Sequence, residues 1–469
     1  MKTKEFSSFR DPSGFVFKEN GNLYRQINSL YQKQFKHLIE SGLYEELTSK
    51  NLLIKHTYVN EVYELDSSII IQPDYVAFIS YPYEWSFSQL KDAALTTLNI
   101  HKYAMKYGMV LKDASAYNIQ FINGYPLLID TLSFDFYKDG DPWVAYGQFC
   151  RHFLAPLLLM SEVDIRLSQL MRIYIDGIPI DLASKLLKYK GGFNTLQHIH
   201  MHALSIKKHS QDGKTDNHTS IKISKFNHLA LIDNLINTIG KTHIKEVETE
   251  WADYYNNTNY SQLAFNHKEE IVSKYIKQMN IKKIWDLGAN DGKYSRIALN
   301  SGVESVIAFD IDPMAVDMNY RLVKKNQENI LPLILDITNP SPGIGFANKE
   351  RKQINSRQKP DCILALALIH HLAISNNLPL EIIAQWLSEL TENLIIEFVP
   401  KEDSQVKLLL ATRNDIFTYY NKEEFENAFN IYFNLIKSEP LKESCRLIYL
   451  FKRRTASLLS EKVKLYNDF

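Results

Sequence analysis

Residues 284–294 read Ile-Trp-Asp-Leu-Gly-Ala-Asn-Asp-Gly-Lys-Tyr, and this stretch decides the fold of the half of the chain that contains it. An apolar strand, predicted over 282–287, ends in Asp-x-Gly-x-Asn-x-Gly and leads into a helix predicted over 293–300. Glycines at 288 and 292 let the backbone turn sharply and approach a ligand closely. The first turn of the helix directs its free N–H groups at whatever lies in that turn. The stretch therefore predicts a ligand-binding turn between a strand and a helix.

This turn resembles motif I of the class I S-adenosyl-L-methionine (SAM) methyltransferases, with Asn290 where many members carry a second glycine. The nicotinamide-binding fingerprint G-x-G-x-x-G fits less well, because it needs glycines at 288, 290 and 293. The resemblance implies that SAM is the cofactor and methyl donor. The residues that it implies for SAM binding in this stretch are Asp286, Gly288, Ala289, Asn290, Gly292 and Tyr294.

From residue 264 onward the pattern alternates between helix and strand, which predicts a parallel sheet with helices on both faces. A helix over 267–279 precedes the first strand, and Pro313 is expected to open a helix after the second strand. The closing hairpin resembles class I methyltransferases, whose last strand is antiparallel to the others. We therefore predict an α/β fold with a Rossmann-like seven-stranded sheet. The predicted strands after the first are 306–310, 331–336, 361–368, 393–399, 432–438 and 446–452.

Acidic residues end the first three predicted strands, and ligands of such sheets bind at the carboxyl ends of the strands. By the resemblance, Asp286 lies near the methionine amino group and Asp336 near the adenine amino edge. Asp310 would accept hydrogen bonds from both ribose hydroxyls, which one carboxylate can do. An alternative is that such acids cap the next helix, above all Asp312. The predicted SAM contacts outside motif I are Asp310, Ile311, Asp312, Asp336, Ile337 and Ala365.

Residues 365–372 read Ala-Leu-Ala-Leu-Ile-His-His-Leu, which resembles the segment after strand four in many small-molecule methyltransferases. In that fold the segment lies beside the methyl group, and a neutral imidazole there could take a proton from an attacking hydroxyl. The alternative is a histidine at a helix start that bonds to backbone and only shapes the pocket. His370 and His371 are both candidate catalytic residues, with His370 as the first choice for the base.

Length and composition are those of a globular protein. A chain of 469 residues predicts two or three domains, and its 45% hydrophobic and 23% charged residues are ordinary values. The 54 basic and 54 acidic side chains cancel, which disfavours nucleic acid and anionic membranes as partners. Three cysteines, Cys150, Cys362 and Cys445, are too few for a disulfide framework, and no metal site is predicted. Without a membrane-spanning run or a secretory signal, the expected location is cytoplasmic.

A polar stretch at 205–222 lacks an apolar face and is interpreted as a linker. It predicts an N-terminal α+β domain at 1–204 and a methyltransferase domain at 223–469. A second polar stretch, 341–359, interrupts the α/β pattern and is interpreted as an insertion between elements.

The N-terminal half carries a second pattern, since residues 111–121 contain Asp-x-x-x-x-Asn followed by an apolar strand. This order resembles the catalytic loop and metal-binding strand of protein kinases and kinase-like phosphotransferases. The resemblance implies a catalytic role for Asp113 and magnesium binding by Asn118 and Asp130. Lys112 and Thr131-Leu132 depart from the family pattern, and Arg25 occupies a plausible place for the phosphate-binding lysine. A catalytically inactive kinase-like module, an active kinase and a chance similarity all remain open.

The whole chain resembles bacterial methyltransferases related to a nodulation protein, which implies modification of a glycan or similar metabolite. We predict a SAM-dependent methyltransferase that acts on an oxygen of a small molecule or glycan precursor. Oxygen is favoured over nitrogen because no Asn/Asp-Pro-Pro-Tyr/Phe segment follows strand four. The alternatives are a bifunctional kinase-methyltransferase acting on a glycan end and a non-catalytic SAM-binding scaffold. The pattern does not predict the oligomeric state.

Overall fold

The computed structural model separates the chain into two compact units. The first comprises Met1–Glu246 and Pro342–Lys352, and the second comprises Val247–Ser341 and Gln353–Phe469. Across the described ranges, no helix combines the length and apolar character needed to cross a bilayer. The predicted linker at 205–222 lies outside the described residues, apart from residue 222. The structure describes residues 2–59, 68–187, 222–244, 261–411 and 414–455.

The first unit contains a five-stranded antiparallel sheet in its described part, in the order β1-β2-β3-β5-β4. Its central hairpin turns at Asn20 and Gly21, whose φ angles are +49° and +83°. An Asn-Gly pair suits a two-residue hairpin turn, because both positions need a left-handed backbone. The strands are β1 (Thr3–Lys4), β2 (Gly14–Glu19), β3 (Asn22–Ile27), β4 (His56–Tyr58) and β5 (Ile69–Pro73).

Two short strand pairs follow a long helix in the same unit. That helix begins at a capping box, in which the backbone N–H of Ser86 donates to the Gln89 side chain at 2.9 Å. Strand β6 pairs with β9 and β7 pairs with β8, which brings the turns around Asp113, Asn118 and Asp130 together. The elements are α1 (Gln32–Glu40), α2 (Leu43–Ser49), α3 (Phe87–Lys106), β6 (Met109–Leu111), β7 (Ile119–Ile122), β8 (Tyr125–Leu128) and β9 (Phe134–Phe136).

Helix α8 (Lys225–Lys241) follows the predicted linker in the sequence but packs in the first unit. On it His228 lies 3.0 Å from His101 of α3, measured between the two Nε2 atoms, and Asp233 lies 2.5 Å from Lys102. Residues 223–244 therefore belong to the first unit, which extends to Glu246. This differs from the sequence analysis, which assigned them to the methyltransferase domain. The helices are α4 (Tyr146–Phe149), α5 (Ala155–Glu162), α6 (Leu170–Ile173), α7 (Ile180–Leu186) and α8 (Lys225–Lys241).

The segment 342–352 also belongs to the first unit, although it lies within the predicted insertion at 341–359. Arg10 donates two hydrogen bonds to the buried Glu350 carboxylate, at 2.6 and 2.9 Å. The Arg351 guanidinium lies 4.2 Å from the centre of the Tyr117 ring. The insertion therefore completes the packing of the first unit.

The second unit contains a seven-stranded sheet in the order β12-β11-β10-β13-β14-β16-β15. Neighbouring strands from β12 to β14 are parallel, whereas β16 is antiparallel to both β14 and β15. This topology confirms the predicted Rossmann-like α/β fold of class I methyltransferases. The strands are β10 (Lys283–Leu287), β11 (Ser305–Asp310), β12 (Ile330–Ile334), β13 (Cys362–Ala365), β14 (Asn393–Phe398), β15 (Phe433–Pro440) and β16 (Leu447–Arg453).

Helices cover this sheet, and aliphatic side chains such as Val306, Leu364 and Ile395 fill its core. Strand β10 lies between β11 and β13, so the strand order reverses there. Ligands bind outside the carboxyl ends of the strands at such a reversal. The motif at 284–294 thus spans β10 and the turn that follows it, where the strand order reverses. The helices are α9 (Gln262–Gln278), α10 (Lys293–Asn300), α11 (Pro313–Asn326), α12 (Leu380–Leu390), α13 (Ser404–Leu410) and α14 (Lys422–Tyr432).

Candidate functional site

The turn between β10 and α10 has the backbone that its glycines predict. Gly288 and Gly292 have φ angles of +74° and +83°, and a Cβ atom at Gly292 would lie 2.4 Å from the Asn319 side chain. Asn290 is also left-handed, with φ at +49°. Asparagine tolerates this conformation better than most residues, which explains how it replaces the second glycine of the motif.

Asp310 ties this turn to the end of the neighbouring strand β11. Its Oδ2 accepts the backbone N–H of Asn290 at 2.7 Å, and its Oδ1 accepts that of Asp312 at 2.9 Å. Burial raises the pKa of Asp310 to about 6. Each carboxylate oxygen can accept more than one hydrogen bond, so this side chain is held in place and can still accept ligand hydroxyls.

Asp286 is the buried acid at the end of the first strand. Its Oδ2 accepts a hydrogen bond from the Ser295 hydroxyl of α10 at 2.7 Å. Burial raises the pKa of Asp286 to about 7, Ser295 opposes that rise, and the charge of Asp310 adds to it. A buried acid of this kind gains from a nearby cation, which an amino group would provide.

Asp312 and Asp336 each accept a hydrogen bond from the backbone N–H two residues further along the chain. Asp312 begins α11, where its Oδ1 accepts the Met314 N–H at 2.8 Å, as the capping alternative predicts. Its other oxygen is buried and makes no hydrogen bond to any described residue. Asp336 follows the end of β12 by two residues, and its Oδ1 accepts the N–H and the hydroxyl of Thr338. Strand β12 thus ends two residues earlier than predicted, and Asp336 lies in the loop after it.

The apolar residues predicted to contact the cofactor lie around the same strand ends. Ile337 and Ala365 line one small cavity with Leu287 and Leu368. Ile311 directly follows Asp310, and the residue is 57% exposed, which leaves it accessible to a ligand. Tyr294 and Ala289 are buried at the glycine turn.

The two histidines begin a short π-helical turn over His371–Ser375, a kind of distortion that is frequent at functional sites. Their ring centres are 4.1 Å apart. Burial holds the pKa of His370 well below its ordinary range, and burial lowers the pKa of His371 to about 4. Both rings are therefore neutral near pH 7, and the burial that keeps them neutral also makes them weaker bases than a free imidazole. His370 is fully buried, with an Nδ1 atom that finds no hydrogen-bond partner in the described chain, whereas His371 is partly exposed.

Four buried charged side chains lie next to this segment. Glu397 on β14 accepts a hydrogen bond from Lys268 of α9 at 2.6 Å, and the same oxygen accepts the Ala367 N–H at 2.8 Å. Arg446 binds Asp403 through two hydrogen bonds of 2.7 and 3.0 Å and lies 3.4 Å from Glu397. We call Lys268, Glu397, Asp403 and Arg446 the buried ion cluster.

Sequence reasoning missed Lys268 and Arg446. A signal for Lys268 does exist, because it falls on the buried stripe of α9 formed by Ala264, Ile271 and Tyr275. A lysine at such a position must find a buried partner. Arg446 precedes β16 in a short turn and carries no comparable signal.

In the first unit, the residues of the kinase-like pattern form one polar cluster. Asp113 accepts a hydrogen bond from Gln148 at 2.8 Å, and Asp130 accepts one from Ser133 at 2.7 Å. Arg25 forms an ion pair with Asp130. Burial alone would raise the pKa of Asp130, but Arg25 lowers it below the ordinary value. Within the described ranges, no group of three or more His, Cys, Asp or Glu side chains is arranged to hold a metal ion.

Comparison with solved structures returns methyltransferases at low sequence identity. The N-methyltransferase NodS from Bradyrhizobium japonicum WM9, in complex with S-adenosyl-L-homocysteine (SAH), is 9% identical. The match covers 44% of this chain and 94% of NodS, with a TM-score of 0.32. Magnesium protoporphyrin IX methyltransferase (ChlM) from Synechocystis PCC 6803 with bound SAH is 15% identical. That match covers 44% of this chain and 93% of ChlM, with a TM-score of 0.30.

No protein-family model matches the sequence. The nodulation protein NoeA from Rhizobium meliloti (strain 1021) is 34% identical over 458 residues, which is 95% of this chain and 95% of NoeA. A match of this extent includes both units. The chain belongs to the family of the nodulation protein NoeA, and its second unit has the class I methyltransferase fold.

Proposed function

We propose that the second unit binds SAM and transfers its methyl group to an acceptor. The observation that carries this proposal is the position of Asp310, which joins the glycine turn to the start of α11 at the reversal of strand order. A carboxylate held there by two backbone N–H groups suits the two hydroxyls of a ribose.

The other residues of the site fit the same ligand. Asp286 would hold the methionine amino group, because its buried carboxyl gains from a cation. Ile311, Asp336 and Ile337 would contact the adenine, and Ala365 would adjoin the methionine chain. Bound SAM supplies an activated methyl group, so the protein mainly aligns donor and acceptor.

We propose an oxygen of a small molecule or glycan precursor as the acceptor. The support is the pair His370 and His371 directly after β13, since an unprotonated imidazole there could accept the proton that a hydroxyl loses. Burial lowers the pKa of both rings, which makes each a weaker base than a free imidazole. His371 has the better access to an acceptor because it is partly exposed. Transfer of a ¹³C-labelled methyl group to a glycan-precursor pool, followed by NMR, would distinguish a methyl ether from a methylamine.

Calorimetric titration of the full chain with SAM and with SAH tests the donor site. We expect both ligands to bind, and Asp310→Ala to weaken SAM binding by roughly 1.5–3 kcal/mol, the value for a hydrogen bond to a charged group. Glu304→Ala is the matched control, because Glu304 is an exposed acid just before the other end of β11. Unchanged SAM affinity in Asp310→Ala would contradict the ribose assignment, and no binding by the wild type would contradict the function.

A bifunctional kinase-methyltransferase is the second candidate. Its support is the clustering of Asp113, Asn118 and Asp130 on the turns between β6 and β9. The ion pair of Arg25 with Asp130 argues for an inactive module, because Arg25 occupies the carboxylate that magnesium would need. Titration with magnesium-ATP separates the two, since binding that Asp130→Ala abolishes would support the kinase. The absence of ATP binding would exclude the kinase activity and leave methyl transfer as the one proposed activity.

A further inference from the structure

The buried ion cluster places two cations and two carboxylates out of contact with water. The side chains of Lys268, Glu397 and Arg446 are 4%, 0% and 3% exposed, and that of Asp403 is 7% exposed. They come from α9, β14, the loop after β14 and the turn before β16. Charges buried to this extent are costly unless they are paired, so removal of one leaves a net charge inside the protein.

The cluster is in contact with the proposed donor site. The Lys268 ammonium lies 4.8 Å from the centre of the Tyr294 ring, which belongs to motif I. Glu397 holds the N–H of Ala367, and the next residue, Leu368, would be 3.5 Å from a Cβ atom at Gly288. Lys268 and Arg446 are among the charges that lower the pKa of His370. The cluster therefore adjoins both the glycine turn of motif I and the segment after β13.

We infer that Glu397 determines the preference of this site for the positively charged donor SAM over the neutral product SAH. The inference rests on the proposed function. SAM carries a sulfonium charge that SAH lacks, while the two ligands are otherwise nearly alike. Glu397 offsets the charge of Lys268, and Asp403 offsets that of Arg446. Loss of the Glu397 charge would leave one excess positive charge, which would repel a sulfonium from the site.

The experiment compares the dissociation constants of SAM and SAH by calorimetry in the full chain. Glu397→Gln keeps the shape of the side chain and an oxygen for the Ala367 N–H but removes the negative charge. We expect it to weaken SAM binding about tenfold more than SAH binding, because the excess positive charge that it leaves repels the sulfonium. Lys268→Met removes a positive charge instead, and we expect the affinity ratio to move in the opposite direction.

The double variant Lys268→Met/Glu397→Gln removes one charge of each sign, and its affinity ratio is expected to return toward that of the wild type. Glu304→Gln, which changes an exposed charge of the same unit, should leave the ratio unchanged. Equal loss of SAM and SAH affinity in Glu397→Gln would overturn the inference and indicate a structural role only. If Glu397→Gln does not fold, an unchanged ratio of SAM to SAH affinity in Lys268→Met would also overturn the inference. Failure of the wild type to bind either ligand would instead refute the proposed function.

Discussion

Gly292 shows how a single atom can decide whether the donor turn forms. Alanine would have to adopt a φ of +83°, and its Cβ would lie 2.4 Å from the Asn319 side chain. Asn319 is buried and accepts a hydrogen bond from Arg296 at 3.1 Å, so it has little freedom to move away.

We expect Gly292→Ala to lower the free energy of unfolding by about 3 kcal/mol, from left-handed strain of about 1–2 kcal/mol and the remainder from overpacking. Chemical denaturation measures the effect. Gly302→Ala is the control, because Gly302 has a φ of +100° but no atom within 4 Å of an added Cβ. Equal losses in the two variants would show that contact with Asn319 is unimportant.

At the same scale, the residues that could be predicted from sequence were those whose role depends on a local turn or on the end of a strand. Gly288 and Asp310 stand out because a glycine turn and a strand-end acid form a pattern along the chain. Arg446 does not, because the partners that make it a buried residue come from distant parts of the sequence. Long cationic side chains are usually solvated, so only tertiary structure reveals the exceptions.

At the scale of elements, helix α8 is attached to α3 through a pair of histidines. Nδ1 of His101 accepts the Leu111 N–H at 3.2 Å, so its Nε2 carries the proton and donates to Nε2 of His228. Burial lowers the pKa of His101 to about 3 and also lowers the pKa of His228. Both rings are therefore neutral in the folded protein at neutral pH.

We expect α8 to detach more readily as the pH falls from 7 to 5. The unfolded histidines take up protons below their pKa of about 6.5, whereas the folded pair resists protonation, so stability present above pH 6.5 is lost on acidification. Hydrogen exchange of the α8 amides, corrected for intrinsic rates, should show this loss. Helix α14 serves as the internal reference, because its residues include no histidine. A protection factor of α8 that does not change with pH would contradict the prediction.

The parallel strands of the second unit were predictable because each is a largely apolar run that ends near an acid or a turn residue. Strands β10, β11 and β14 start and end within one residue of prediction, whereas β13 ends three residues early. It ends early because Ala367 adopts a left-handed φ of +50° and the chain leaves the sheet. The domain boundary was misplaced for a related reason, since the amphipathic pattern of α8 does not indicate which unit it will pack against.

At the scale of the whole molecule, Glu350 stabilises a unit that is otherwise built from the first half of the chain. Its buried carboxylate accepts two hydrogen bonds from Arg10 and one from the Phe346 N–H. We expect Glu350→Ala to destabilise the first unit by roughly 1.5–3 kcal/mol. Hydrogen exchange should rise in β2 and β3 but not in β10 and β11.

Glu40→Ala provides the control for that variant, since Glu40 is an exposed acid of the same unit whose ion pair with Lys36 lies on the helix surface. It should leave the exchange of both units unchanged. If Glu350→Ala and Glu40→Ala behave alike, the segment 342–352 contributes no stability to the first unit.

The return of residues 342–352 to the first unit also affects the order in which the protein can be completed during its synthesis. The ribosome finishes residue 246 and must then add everything up to residue 352 before the first unit has all of its parts. At about 5–20 residues per second, that delay is roughly 5–20 s. During this interval Arg10 has no Glu350 to bind, and the nascent N-terminal half exposes the surface that this segment will later cover.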